Sequence, residues 1–195
     1  MSMIKNIWLW AALILGLQLM YGCGGVITDS ELKTYHGYRV AMEPRAYEIV
    51  HMSDVETVID ETVIQFSIAT GHSERKIRRK MKGLAIEFFD NYLSCNAWYE
   101  KEDGTLVQSE KCAGLYHNPH PLIEVWAREF EGSRFCLSWT ALSHELVHFM
   151  ADKVEGDSNH FHDDPRLFND RNSAEVMGKM QSAELVCPWL FAEFE

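Results

Sequence analysis

The chain has 195 residues, of which 47% are hydrophobic and 24% charged, and its formal net charge at pH 7 is −11. This length predicts one domain with a buried core. The negative charge argues against a nucleic-acid partner, because neutralising phosphates requires a basic surface. We expect a monomer that does not bind nucleic acid.

The first 22 residues have the pattern of a secretory signal peptide. Lys5 supplies the positive charge, and the apolar run 7–19 is long enough for a signal but short for a membrane span. The signal ends with a small residue before a cysteine, Gly22-Cys23, and so resembles a lipoprotein cleavage site. Cleavage would make Cys23 the lipidated N-terminus, and an uncleaved N-terminal anchor is the alternative.

This pattern divides the chain into a lipoprotein signal peptide at 1–22, a tether at 23–40 and a folded domain at 41–195. Both alternatives place the domain outside the cytoplasm, in the cell envelope. No aspartate follows Cys23, which by resemblance to Gram-negative sorting signals implies the outer membrane. We therefore expect attachment to the membrane through a lipid on Cys23.

The first half of the folded domain predicts a long helix and then a strand. Apolar residues recur at helical spacing across 54–70, and Gly71 is placed to end that helix. The β-branched content keeps a strand open as the alternative. We interpret the basic run 75–82 as a solvated helix face, with a patch for an anionic surface as the alternative. The segment 83–89 predicts a strand.

Four cysteines besides Cys23 predict two disulfides, since an even number is typical of exported chains. Counting outward from a hairpin turn places Cys95 opposite Cys112. Cys136 and Cys187 would then form the second disulfide. Free buried thiols are the alternative.

The hairpin turn is predicted at Asp103-Gly104, a strong signal for a two-residue loop. In the resulting register Tyr99 lies opposite Gln108, and the cysteine pair occupies a non-hydrogen-bonded site. There the α-carbons approach to about 4.5 Å, which a disulfide tolerates. Another strand is predicted at 122–126.

The most specific feature of the chain is the motif H-E-x-x-H, from His144 through Glu145 to His148. Histidines four apart lie on one face of a helix, so both imidazoles can reach one Zn²⁺. Glu145 lies where it can take a proton from a water that the metal activates. The alternative is an ordinary amphipathic helix with two partly buried histidines.

The surrounding sequence supplies the helix that this motif requires. The run 139–153 contains no Gly or Pro and has an apolar stripe at helical spacing. Ser138 or Thr140 could cap the start of the helix. Gly156 is placed to end it.

A zinc site needs at least one more protein ligand. The polar loop after the helix offers His162 and His160, and a later helical stretch offers Glu175. We rank them in that order, with a small margin between the two histidines. Asp163 or Asp164 could orient a ligand imidazole by a hydrogen bond.

The motif and the loop after it resemble the zincin metallopeptidases. Metzincins are excluded, because Ala151 and Val154 stand where that subfamily has Gly and His. The pattern H-E-L-V-H, then Gly156-Asp157, then H-x-D-P from His162 to Pro165 is similar to small metallopeptidase lipoproteins of Gram-negative bacteria. This resemblance covers about the central third of the chain.

The resemblance implies an α+β fold: a minimal zincin-like domain with a small mixed or antiparallel sheet, an active-site helix and a C-terminal helix. That last helix is predicted at 174–185, with Pro188 beyond its end. In zincins a strand placed like 122–126 often forms the edge of the cleft, where an extended peptide can pair. Tyr116 is a candidate oxyanion donor.

The function implied is a zinc-dependent peptidase acting on peptide or protein substrates. A second hypothesis is a non-catalytic envelope lipoprotein with a structural zinc site. In that case His160 and His162 would both bind beside the helix pair, which leaves no open position on the metal. A third is an interaction module that uses its acidic surface and holds no metal.

Overall fold

A computed structural model describes residues 33–100, 106–127, 136–157, 162–168 and 170–186. Within them the fold is α+β, with seven strands, five α-helices and one π-helical turn. Several predictions lie outside these residues: the signal peptide at 1–22, lipidation of Cys23, the turn at Asp103-Gly104, His160 as a ligand and the disulfide between Cys136 and Cys187.

The strands form one mixed sheet and one separate hairpin. They are β1 (Lys33–Tyr35), β2 (Tyr38–Met42), β3 (Ala85–Phe89), β4 (Leu93–Glu100), β5 (Leu106–Cys112), β6 (Gly114–Tyr116) and β7 (Leu122–Trp126). The five-stranded sheet has the order β1-β2-β3-β7-β6, and β4 pairs with β5. The three central strands are parallel, whereas β1 and β6 run antiparallel to their neighbours.

The helices connect and cover these strands. They are α1 (Pro44–Ile49), α2 (Met52–Thr70), α3 (Glu74–Lys80), α4 (Cys136–Met150) and α5 (Ala174–Val186), and α4 continues as the π-helical turn Ala151–Glu155. Helix α2 confirms the prediction for 54–70, and Gly71 ends it in the left-handed conformation at φ 72°. No helix in the described ranges is long and apolar enough to cross a membrane.

The core lies between the helices and one face of the sheet. The registers of β2, β3 and β7 align Val40, Ile86 and Ile123, all fully buried. Alternate residues of a strand point to opposite faces of the sheet. Every second residue of β2, β3 and β7 therefore faces the core. Helices α2, α4 and α5 pack against one another on that side. The H-E-x-x-H motif is therefore carried on a helix fixed by the core.

The structure refines two predictions about where strands lie. Strand β1 and the start of β2 lie within 23–40, the range assigned to the tether, so residues 33–40 belong to the sheet. Strand β7 confirms 122–126, but it lies between β3 and β6 and is not the edge beside the cleft. That edge is β6, a three-residue strand too short to give a sequence signal.

The hairpin confirms the disulfide between Cys95 and Cys112 but corrects the register. Tyr99 lies opposite Val107 and not Gln108, and the register shifts again between Ser94 and Ala97. A bulge adds an unpaired residue to one strand. As a result the two cysteines meet off the direct cross-strand line, with their α-carbons 5.9 Å apart.

Candidate metal centre

Helix α4 places the two motif histidines on one face. The Nε2 atoms of His144 and His148 are 3.2 Å apart, as the spacing of four residues predicts. The helix already includes Cys136, so Ser138 and Thr140 lie inside it and do not cap its start. Its π-helical continuation ends at Gly156, which has φ 77° as predicted for a helix-ending glycine.

His162 brings the third imidazole from the loop after the helix. Its Nε2 lies 2.8 Å from Nε2 of His148, and one nitrogen from each of the three histidines lies within 4.8 Å of the others. His162 has φ 54°, a left-handed conformation that a residue with a Cβ rarely adopts. Such strain persists only where the surrounding structure imposes it, and it is concentrated at functional sites.

These three histidines could hold a metal ion. Two ligand nitrogens on a tetrahedral zinc lie about 3.3 Å apart, given a Zn–N bond of about 2.0–2.1 Å. The observed separations of 3.2 and 2.8 Å are close to that value. A neutral imidazole has only one N–H, so three converging ring nitrogens include lone pairs that a cation would satisfy. The donor set therefore fits zinc.

Glu175 fixes the orientation of His144. Its Oε1 lies 2.7 Å from Nδ1 of His144, which leaves Nε2 of that ring as the atom facing the other histidines. Burial raises the pKa of Glu175, but hydrogen bonds from His144 and Lys179 outweigh it and lower the pKa to about 2. Glu175 is thus the partner of a candidate ligand and not itself the third ligand.

For His144, the orienting hydrogen bond predicted for Asp163 or Asp164 comes from Glu175. Asp164 instead pairs with Arg166, whose Nη2 lies 2.6 Å from Oδ2, and this hydrogen bond lowers the pKa of the carboxyl. Arg166 also reaches Glu155, at the end of the π-helical turn, at 3.3 Å. The pair anchors the loop that carries His162 to the end of the motif helix.

Phe168 supports all three imidazoles from below. It is fully buried, and its ring centre lies 5.7 Å from that of His144 and 4.6 Å from those of His148 and His162. A fixed aromatic surface restricts how far each ring can tilt. Contact with the same ring therefore restricts the orientation of all three imidazoles.

Glu145 is buried beside the triad and held by strand β6. Only 8% of it is exposed, and the backbone amide of Tyr116 donates a hydrogen bond to its carboxylate. A Cβ at Gly114 would lie 2.8 Å from Cγ of Glu145, so this close approach requires glycine. Burial raises the pKa of Glu145, opposed by the charge of His144 and the Tyr116 amide.

An open cleft of about 600 Å³ runs past these groups. Strand β6 and the disulfide between Cys95 and Cys112 form one wall, and α4 with Lys179 of α5 forms the other. His144, His148, His162 and Glu145 all line the same space. A molecule in this cleft would meet the metal-binding nitrogens and the buried carboxylate together.

The hydroxyl of Tyr116, the candidate oxyanion donor, is directed elsewhere in this structure. It donates to Oδ2 of Asp152 at 2.6 Å, and Lys153 lies 2.7 Å from the same oxygen. Burial and this hydrogen bond raise the pKa of Tyr116. The residue contributes its backbone amide to Glu145 instead.

No protein-family model, curated protein or solved structure matches this chain. The function must therefore be argued from the geometry of the site.

Sequence reasoning missed that Gly114 and Lys179 line the same cleft as the histidines. Gly114 lies in a strand of three residues and is linked to Glu145 only by the tertiary fold. Lys179 had an available signal, because Glu175 and Lys179 have the spacing of a helical ion pair.

Proposed function

We propose that this protein is a zinc-dependent peptidase. The observation that carries the proposal is the shared cleft: a histidine triad able to hold a metal ion and a buried glutamate line one space large enough for a peptide segment. A site that only braced the fold would need neither a buried carboxylate beside the metal nor an open approach. The resemblance of the motif to zincins agrees with this reading.

Zinc is the metal that best suits the site. Three imidazoles form a ligand set typical of zinc, and three protein ligands leave a fourth position open, as in catalytic sites. Bound there, zinc would polarise the substrate carbonyl and lower the pKa of water toward about 7.

Glu145 supplies the proton transfer. Its carboxylate accepts a proton from the attacking water and returns it to the leaving nitrogen of the cleaved peptide. The contacts with Gly114 and the Tyr116 amide fix where the carboxylate stands.

Strand β6 aligns the substrate. Trp126 N–H donates to the carbonyl of Ala113, and His117 N–H donates to the carbonyl of Leu122, so the two residues that flank β6 bond to β7, and the alternation of an antiparallel pair gives Leu115 the same direction. In an antiparallel pair the residues between them direct their N–H and C=O groups to the other side. Gly114 therefore presents a backbone donor and acceptor to the cleft, where an extended peptide pairs by strand addition.

The test is peptide hydrolysis by the purified zinc-loaded protein and its Glu145→Gln variant. We expect cleavage of an unstructured protein or a peptide mixture, loss of cleavage in the variant, and equal zinc content in both. Glu184→Gln, an exposed change on α5, is the matched control. Hydrolysis retained by Glu145→Gln would contradict the mechanism, and a wild-type protein that binds zinc without hydrolysis would favour the structural site.

We also propose that the protein is an exported lipoprotein attached to the membrane at Cys23. Its substrates would then be peptides or proteins of the cell envelope. The disulfide between Cys95 and Cys112 supports it, because disulfides persist in oxidising compartments. Cys23→Ser should release the protein from the membrane fraction. A variant that stays membrane-bound would contradict lipid attachment.

A further inference from the structure

Lys179 lines the cleft near His144, one helical turn along α5 from Glu175. Glu175, beside His144, and Lys179 are four residues apart on α5. A Cβ at Gly178 would lie 2.9 Å from Oγ of Ser143, so this part of α5 is packed against the turn of α4 that precedes His144. The Lys179 ammonium contacts Oε1 of Glu175, the same oxygen that faces Nδ1 of His144, so the ammonium lies close to His144.

Lys179 is the sole lysine or arginine among the described residues that line the cleft. Its side chain is 29% exposed, and its ammonium is paired with Glu175. An ammonium has three N–H donors, of which this contact uses one. The group can therefore hold Glu175 and still donate to a molecule in the cleft.

Lys179 carries a positive charge in a cleft whose other described charged side chains are acidic, so it favours an anionic group in a ligand. The chain carries a net charge of −11, and the other charged groups described at this site are the carboxylates of Glu145 and Glu175. A substrate carboxylate beside Lys179 would gain a charge-assisted hydrogen bond that these two carboxylates cannot provide.

We infer that Lys179 selects substrates that carry a carboxylate close to the scissile bond, an inference that rests on the proposed function. The carboxylate comes either from an aspartate or glutamate side chain or from the C-terminus of the substrate. Lys179 is thus a specificity residue in addition to its contact with Glu175.

The first experiment measures binding without turnover. The zinc-loaded protein is titrated with two probes: succinic acid monohydroxamate, which has a metal-binding end and a carboxylate end, and butyrohydroxamic acid, which lacks the carboxylate. We expect the carboxylate probe to bind wild type about tenfold more tightly, since hydrogen bonds to charged groups exceed neutral ones by about this factor. Glutaric acid monohydroxamate, which has one more methylene between the carboxylate and the hydroxamate, tests whether a longer distance between the two groups fits better.

Variants separate recognition from positioning. Lys179→Met should reduce the ratio of the two affinities to about one, and Lys179→Arg should preserve most of it. A role confined to positioning Glu175 would weaken both probes equally and leave the ratio unchanged. Lys80→Met, an exposed change of the same charge on α3, is the control and should keep the wild-type ratio.

A second experiment identifies the source of the carboxylate. Cleavage is compared for peptides that place glutamate or glutamine at each position around the scissile bond, and for peptides with a free or an amidated C-terminus. Preference for glutamate at one position indicates a side chain, and preference for the free C-terminus indicates terminal recognition; Lys179→Met should abolish either preference.

The two proposals fail in different ways. Equal binding of the two probes by wild type, or cleavage of neutral and acidic peptides at equal rates, would overturn the role of Lys179 and leave the peptidase standing. A tenfold probe preference without hydrolysis of any peptide would support Lys179 as a carboxylate-binding residue and overturn the peptidase.

Discussion

Replacing Glu175 with alanine should weaken zinc binding by about 10- to 100-fold while leaving all three histidines in place. The variant removes the acceptor that holds Nδ1 of His144 and so frees that ring to rotate. His144→Ala, which removes the ligand itself, should lose binding almost completely. The comparison distinguishes a residue that orients a ligand from one that contacts the metal.

The magnitude follows from the contact between Glu175 and His144. The atoms are 2.7 Å apart and the Glu175 side chain is only 9% exposed, so solvent replaces little of the lost interaction. A hydrogen bond to a charged group is worth about 1.5–3 kcal/mol, and about 1.4 kcal/mol corresponds to a tenfold change in affinity. Glu175→Gln keeps a neutral acceptor and should lose about half of that free energy.

The assay is competition for zinc with a chromophoric chelator, using Glu184→Gln on the same helix as the control. Circular dichroism of each variant checks that α5 is still formed. An affinity of Glu175→Ala within twofold of wild type would refute the orienting role. Complete loss of zinc, equal to that of His144→Ala, would instead make Glu175 a direct ligand.

Three further predictions concern the surroundings of the site. Gly114→Ala should lower kcat at least tenfold with unchanged zinc affinity, because the added Cβ displaces the Glu145 carboxylate; unchanged kcat would contradict this packing argument. Arg166→Gln should weaken zinc binding by a few-fold, measured by the same chelator competition, since it releases the loop of His162 from Glu155; equal affinity would show that the loop is held by other contacts. Glu87→Gln should raise the melting temperature at neutral pH, because burial and the charge of Glu124 raise the pKa of Glu87 above 4.5 and its ionised form opposes folding. The gain should shrink as pH falls below 4.5, where Glu87 is protonated in both states, and a gain independent of pH would contradict the assignment to charge.

The sequence predicted those parts of the fold that depend on residues close together along the chain. Helix α2 follows from its apolar period and the glycine at position 71, and the pair His144 and His148 follows from helical spacing alone. His162 followed from the need for a third ligand soon after the helix. These features depend on residues near one another in sequence.

The features that the sequence did not predict depend on contacts between residues far apart along the chain. Strand β6 has three residues and owes its place to pairing with β7 and to its contact with Glu145. The role of Glu175 depends on α5 lying against α4, which places a carboxylate 31 residues away beside His144. The disulfide pair was predicted correctly from a register that is wrong by one residue at Tyr99, because Cys95 reaches Cys112 from the bulged segment.

The coordination of zinc in the purified protein is the most direct test of the central claim. X-ray absorption at the zinc edge should show one zinc per chain with three imidazole nitrogens at about 2.0–2.1 Å and one oxygen. The site should be lost in His162→Ala and kept in His120→Ala, an exposed histidine outside the cleft. Four imidazoles around the metal, or zinc retained unchanged in His162→Ala, would contradict the open three-histidine site.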